Sequence, residues 1–259
     1  MNKGRKNSSA TYVRPAFTAI RPRIDHFVDW LNRRPGSPRI DVNGADWQSA
    51  IVRFADSSGK GEQGLPPARS LLKWMVYHAG ISDKLADFKW NPKVSDESNH
   101  KREILFTKDS PLRLKVVAEA IDKINSGKTH GWFALEGSSK PDVYVETNKF
   151  ILVVEGKRTE LRKTETTRFF KKDRDQLIRH MDSAVECAGN KPVYGLFITE
   201  RDYKTEGYAR LQYFRDAMPH RTEAECKMIK HNLLPELKWD ELQAAMKKIG
   251  IIFNYIESM

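Results

Sequence analysis

The chain has 259 residues, 45 of them Lys or Arg against 34 Asp or Glu, for a formal net charge of +11 and a pI near 9.5. That surplus suits a polyanionic partner, and 39% hydrophobic residues are enough for a folded core at this length. Cys187 and Cys226 stand far apart without ligand spacing, which argues against a zinc site or a disulfide framework. The basic start MNKGRKNSSA has no apolar signal core, and no apolar run reaches membrane-spanning length. A cytoplasmic protein without a membrane partner is therefore expected.

Residues 1 to about 20 carry Lys3, Arg5, Lys6 and Arg14 among Ser, Asn and Gly, and read as a flexible basic arm. Ile24, Phe27, Val28 and Leu31 recur at helical spacing, predicting a helix from Arg23 to Asn32 that Pro35-Gly36 brings to an end. A second apolar pattern, Trp47, Ile51, Phe54 and Ala55, follows the cap residue Asn43, and the Gly- and Pro-rich stretch from Ser57 to Pro67 reads as a loop. Leu71, Leu72, Met75, Val76 and Ala79 form the next helical stripe, with Gly80 as its stop and Trp74, Tyr77 and His78 as packing residues. The polar run from Asn91 to Arg102 separates this mostly helical region, 1–100, from the domain over 101–259.

Ser110-Pro111 opens a helix whose stripe is Leu112, Val116, Ala120 and Ile124, closed by Asn125-Ser126-Gly127. A strand over 131–135 follows and ends at Glu136. The stretch KPDVYVETNKFILVVEGKRTE then places two β-rich runs around Thr147-Asn148-Lys149, the pattern of a hairpin. Alternation sets Ile151, Val153, Glu155 and Lys157 on one face of the second strand, and antiparallel pairing brings Asp142 towards Glu155. FILVV before Glu155 reads as a strand buried on both faces, so charges at its end need a reason. Two carboxylates beside a lysine suit Mg²⁺, which takes one or two protein carboxylates and completes its shell with water and phosphate oxygen.

Pro141-Asp142 followed by Glu155-Gly156-Lys157 resembles the PD-(D/E)xK signature of restriction-endonuclease-like nucleases. The resemblance implies metal ligation by Asp142 and Glu155, a catalytic role for Lys157, and Mg²⁺ as cofactor, with Mn²⁺ able to substitute. It also implies an accessory acid, Glu119 or Glu136, between which the sequence does not choose. The order helix, strand, strand, strand, helix, strand from Ser110 to Thr199 is similar to that family's core. The fold implied is α/β, with a central mixed sheet flanked by helices.

After the hairpin, Arg158, Arg162, Lys163, Arg168, Lys171 and Lys172 lie among threonines, a composition suited to phosphate contact. The segment KDRDQLIRHMDSAVECAG reads as an amphipathic helix with Gln176, Arg179 and His180 on its other side; the resemblance implies that the helix after the acid-x-Lys strand lines the cleft, which makes these three candidates for supporting the site or holding phosphate. VYGLFIT is a strand. Helices around Thr222 to Leu233 and from Pro235 to Ile249, then a strand at Ile251-Ile252-Phe253, complete the chain without recognisable chemistry. No GxxxxGK[ST], GxGxxG or GxSxG motif occurs, so nucleotide hydrolysis, dinucleotide chemistry and the α/β-hydrolase route lack support. The expected function is a metal-dependent DNA endonuclease, with a homodimer as a means of cutting both strands. The alternative is an inert nucleic-acid-binding or structural protein of the same fold.

Overall fold

The computed structural model describes residues 10–54, 61–81, 112–128, 136, 138–157, 174–200 and 206–252. Among them, five strands form one mixed sheet in chain order: β1 (Ile51–Phe54), β2 (Val143–Glu146), β3 (Ile151–Lys157), β4 (Val193–Thr199) and β5 (Leu237–Lys238). β1, β2 and β3 are antiparallel neighbours, whereas β4 runs parallel to β3 and β5 parallel to β4. The helices are α1 (Ala10–Ile20), α2 (Ile24–Asn32), α3 (Arg69–Ile81), α4 (Arg113–Asn125), α5 (Gln176–Cys187), α6 (Leu211–Ala217), α7 (Glu223–His231) and α8 (Trp239–Lys248). The fold is α/β.

Side-chain alternation builds the two cores. Val143, Val145, Leu152, Val154, Leu196 and Ile198 point to one face, where α1, α2 and α8 cover them. Tyr144, Ile151, Val153 and Phe197 point to the other, against α5, α6 and α7. Every residue of β3 and β4 is buried, as expected for parallel strands with helices on both sides.

The hairpin forms about the predicted turn. Thr147 Oγ1 accepts the amides of Lys149 and Phe150 at 3.1 and 3.2 Å, while Asn148 accepts the Asp46 amide at 2.8 Å and donates to the Gly44 carbonyl at 3.1 Å. The hairpin tip is thereby pinned to the loop before β1.

The N-terminal region departs from its sequence reading. Residues 10–20, expected within a flexible arm, are a helix despite Pro15, because Val13, Ala16, Phe17 and Ile20 are all buried. Burying such large apolar side chains gains about 1.5–3 kcal/mol each. Together they exceed the roughly 3 kcal/mol that an interior proline costs a helix. The pattern around Ile51 is an edge strand and no helix; only Val52 of the four is buried, so a short run with little periodicity was settled by pairing with β2. The first hundred residues thus supply a strand and two core helices to the sheet that carries the hairpin. α3 continues past Gly80 to Ile81, and Tyr77, expected to pack, is 54% exposed. Leu112, at the head of the α4 stripe, is also exposed. Ile251-Ile252 is not a strand, whereas α6 and β5 form without having been predicted. The strand expected over 131–135 and the polar boundary from Asn91 to Arg102 lie outside the described residues.

Gly156 shows how closely the layers meet. A Cβ there would sit 2.6 Å from Val13 Cγ2 of α1 and 3.5 Å from Trp239 Cζ2 of α8. Gly156→Ala is expected to destabilise the protein by about 1–3 kcal/mol through overpacking. Urea unfolding with an unchanged m-value would measure it.

Candidate functional site

β3 ends with Glu155 and Lys157 on the α5 face of the sheet. Their side chains form an ion pair at 2.8 Å, with exposures of only 1% and 8%. The last β2–β3 pair at this end is Val143 with Val154, so one step further the register sets Asp142 opposite Glu155. Asp142 Oδ2 accepts the Gly156 amide at 2.8 Å. Pro141 and Asp142 lead directly into β2, and the bond to Gly156 ties this entry to the neighbouring strand. The sequence-predicted trio is therefore brought together at one end of a buried strand.

Burial, and then the nearby charge of Glu155, push the Asp142 carboxyl up to about 8, against the Gly156 amide and Lys157, which favour ionisation. Two carboxylates that resist joint ionisation in a dry site are held in a charge conflict that a divalent cation relieves. Among the described residues, no three His, Cys, Asp or Glu side chains gather as a ligand set. The donor set on hand is the pair Asp142 and Glu155, the number of protein carboxylates that Mg²⁺ commonly takes.

α5 supplies the next contacts. Asp175 caps it by accepting the Ile178 amide, so its first turn faces the end of β3. Gln176 Oε1 accepts from Lys157 Nζ at 3.1 Å, and His180 Nε2 lies 3.0 Å from Glu155 Oε2. Burial pushes the His180 imidazole down to about 3, so the ring is neutral. A carboxylate can only accept, which makes Nε2 the protonated nitrogen; Nδ1 then accepts the Ser139 hydroxyl. Ser139, His180 and Glu155 form a directed chain, although the sequence offers no signal for Ser139.

A buried ion cluster holds the segment that carries Ser139. The Arg174 side chain is fully buried, donating to both oxygens of Glu136 at 3.1 and 3.2 Å and to Asp182 Oδ2 at 2.7 Å. Burial alone would lower its pKa, but the carboxylates of Glu136 and Asp182 outweigh this and raise it. Asp182 is held well below the ordinary carboxylate range, because Arg174, His220 and Arg221 overcome the cost of its burial. Arg179 donates to Glu136 Oε1 at 3.1 Å and to the Ser138 carbonyl at 3.2 Å. Arg174 and Asp182 were missed; the one signal was an acid on the Ile178, Asp182, Val185 stripe of a buried helix.

The two accessory acids have other partners. Glu136 accepts from Arg174 and Arg179, while Glu119 pairs with Lys123 one turn along α4 at 2.8 Å and is 38% exposed. Gln176 and His180 reach the trio directly, and Arg179 donates to Glu136 and to the Ser138 carbonyl in the segment behind it. Arg158, Arg162, Lys163, Arg168 and Lys171 lie outside the described residues.

Compared with known proteins, the chain matches no family model, no curated protein and no solved structure. No described helix is long and apolar enough to cross a membrane. The functional reading therefore stands on the site's own geometry and on the sequence motif.

Proposed function

We propose that the protein is a metal-dependent nuclease with a restriction-endonuclease-like core, cutting phosphodiester bonds in DNA. The observation that carries this reading is the carboxylate pair Asp142 and Glu155, buried, mutually repelling and flanked by the Lys157 ammonium. Supporting it are the order α4, β2, β3, α5, β4 and the parallel placement of β4 beside β3. Asp142 and Glu155 would hold Mg²⁺, or Mn²⁺ in its place. The bound ion would supply charge neutralisation on the phosphate and a more acidic water. Lys157, steadied by Gln176, stabilises negative charge that develops on phosphate oxygen or orients the attacking water. His180, locked by Ser139, fixes the orientation of the Glu155 carboxylate.

A second reading has an observation of its own. Lys157 and His180 already satisfy Glu155, so the cluster also works as a closed buried ion pair in an inert binding or structural protein. Incubating the protein with plasmid, linear duplex, single strands and RNA, under Mg²⁺, Mn²⁺ or EDTA, separates the two. Metal-dependent cleavage supports the nuclease, and intact nucleic acid in every arm supports the inert protein.

The net charge and the basic run over 158–172 add an expectation about binding. In EDTA, affinity for nucleic acid is expected to fall linearly on a log–log plot against salt, through counterion release. Neutralising Arg162, Lys163, Arg168 or Lys171 should make that slope shallower by about one for each phosphate no longer held. A salt-independent affinity would count against phosphate binding by these residues.

A further inference from the structure

The pattern acid-x-Lys occurs twice at one end of the sheet. Glu155-Gly156-Lys157 closes β3, and Glu236-Leu237-Lys238 spans the start of β5 two strands away. The parallel register pairs Lys157 with Thr199 and Thr199 with Lys238, so these three residues form one row across β3, β4 and β5. One step back, the same register sets Phe197 beside Glu155 and brings Glu236 level with them. Paired residues share a face. Phe197 belongs to the core on the α5 side and Leu237 to the opposite one, which puts Glu236, Thr199 and Lys238 on the side that carries Glu155 and Lys157.

The second pair is built like the first but lies nearer to solvent. Lys238 Nζ meets Glu236 Oε1 at 2.7 Å, and the Thr199 hydroxyl donates to that carboxylate while accepting from Lys238 at 3.3 Å. Arg34 pins the approach to β5 by donating to the Pro235 and Glu236 carbonyls, each at 2.8 Å, and the Lys238 amide donates to Glu241 at 2.8 Å as α8 begins. The Lys238 side chain is 32% exposed against 8% for Lys157. An ion pair this accessible is weak, so exchanging its carboxylate for another anion costs little. Two strand spacings put the two lysine backbones about 10 Å apart. Phe197 stands between Glu155 and Glu236 in the register, and metals that act as a pair sit about 4 Å apart, so the second carboxylate does not extend the metal site. What the row adds is a cation and a hydroxyl, the groups that position a nucleic-acid backbone without reading bases.

We propose that Lys238 and Thr199 are a second phosphate-binding position for the substrate strand, beside the phosphate that Lys157 faces, and that a backbone phosphate takes the place of Glu236 on the Lys238 ammonium. The location of the scissile phosphate rests on the nuclease reading above. Contact is to phosphate alone, so the position serves any base sequence. Glu236 neutralises Lys238 in the free protein and must be displaced when nucleic acid binds. Removing its charge therefore strengthens binding, whereas a purely structural pair gains nothing from the loss of either partner.

The test uses the full chain in EDTA, titrated against fluorescently labelled duplex and single-stranded oligonucleotides and followed by anisotropy. Lys238→Gln should bind about tenfold more weakly, the loss expected for a charged hydrogen bond, and lower the salt slope by about one. Lys238→Arg keeps the charge and should keep the parental affinity. Glu236→Gln should bind about fivefold more tightly, the Coulomb effect of removing one charge at close range in water. Thermal unfolding checks that each variant is folded. Parental affinity in Lys238→Gln, weaker binding by folded Glu236→Gln, or a parent that binds neither oligonucleotide overturns the proposal. Cleavage in Mg²⁺ is read separately. A parent that cuts, with an affinity that neither variant shifts, overturns the second phosphate position and leaves the nuclease standing. A parent whose affinity moves in opposite directions with the two variants, yet which cuts nothing, overturns the nuclease reading and leaves the row as the phosphate contact of an inert nucleic-acid-binding protein.

Discussion

Asp142→Asn is expected to abolish metal-dependent cleavage while leaving the folded protein more stable than the parent at neutral and alkaline pH. The loss of activity follows from removing one of two negative oxygen donors for a reluctantly dehydrated cation, and should reach roughly a thousandfold. The gain in stability follows from the charge conflict. In the fold the Asp142 carboxyl is raised to about 8 from an ordinary value of 3.8, so the native state holds a proton that the unfolded chain has lost. Stability of the parent therefore falls as pH rises from about 4 to 8, by up to 1.4 kcal/mol per pH unit, and the cost is complete above pH 8. Integrated over the shift, this is roughly 6 kcal/mol as an upper bound. Asparagine has no such proton to lose and still accepts the Gly156 amide. Urea unfolding in EDTA at pH 4, 6 and 8.5 should show parent and variant converging at the acid end and separating at the alkaline end. Mg²⁺ should raise the melting temperature of the parent and leave that of the variant unchanged, because only the parent binds it in the folded state. Equal activity, or an Asp142→Asn protein less stable than the parent at pH 8.5, would count against this account of the site.

Lys157→Ala should lower cleavage by about 10²–10³-fold, the usual loss when one stabilising donor is taken from a developing negative charge. Mn²⁺ binding, followed calorimetrically, should survive, since Lys157 is not a ligand on this reading. Glu155 then loses the ammonium that pairs with it at 2.8 Å in a buried site. The variant should thus be less stable than the parent, by up to the roughly 3–5 kcal/mol that breaking a buried pair costs. Cleavage must be assayed below its melting transition. Glu119→Gln is the control: its partner Lys123 is a neighbour on an exposed helix face, so activity should be unchanged and stability altered by less than about 0.5 kcal/mol. Parental cleavage by folded Lys157→Ala would refute the proposed role of the lysine.

The elements legible in the sequence were those with strong local patterns. α2, the hairpin, α5, β4 and α7 each carry an apolar period and a recognisable stop or cap; Thr222 and Glu225 of α7 even form a capping box. The trio was legible for the same reason, because strand alternation and hairpin register are local rules that set Glu155, Lys157 and Asp142 side by side. Helical spacing set Gln176 and His180 one turn apart on one face, and the resemblance implied that this face lines the site.

Local rules of sequence thus accounted for the chemistry at the end of β3 and for the alternation of helix and strand around it. The surroundings of that chemistry came from long-range packing. That α1 would fold over Pro15 depended on the apolar core that the sheet, α2 and α8 share with Val13 and Phe17. Residue 156 suits glycine because Val13 of α1 and Trp239 of α8 crowd the place of a side chain. Glu136 went to Arg174 and Arg179 because charges enclosed without water need paired partners, and Ser139 is set against His180 by its segment's backbone bridge to Leu65 beside that cluster. These contacts join residues tens to hundreds of positions apart. Their energies depend on burial, which no local window of sequence contains, and so the side chains that hold the site in place were invisible where the site itself was not.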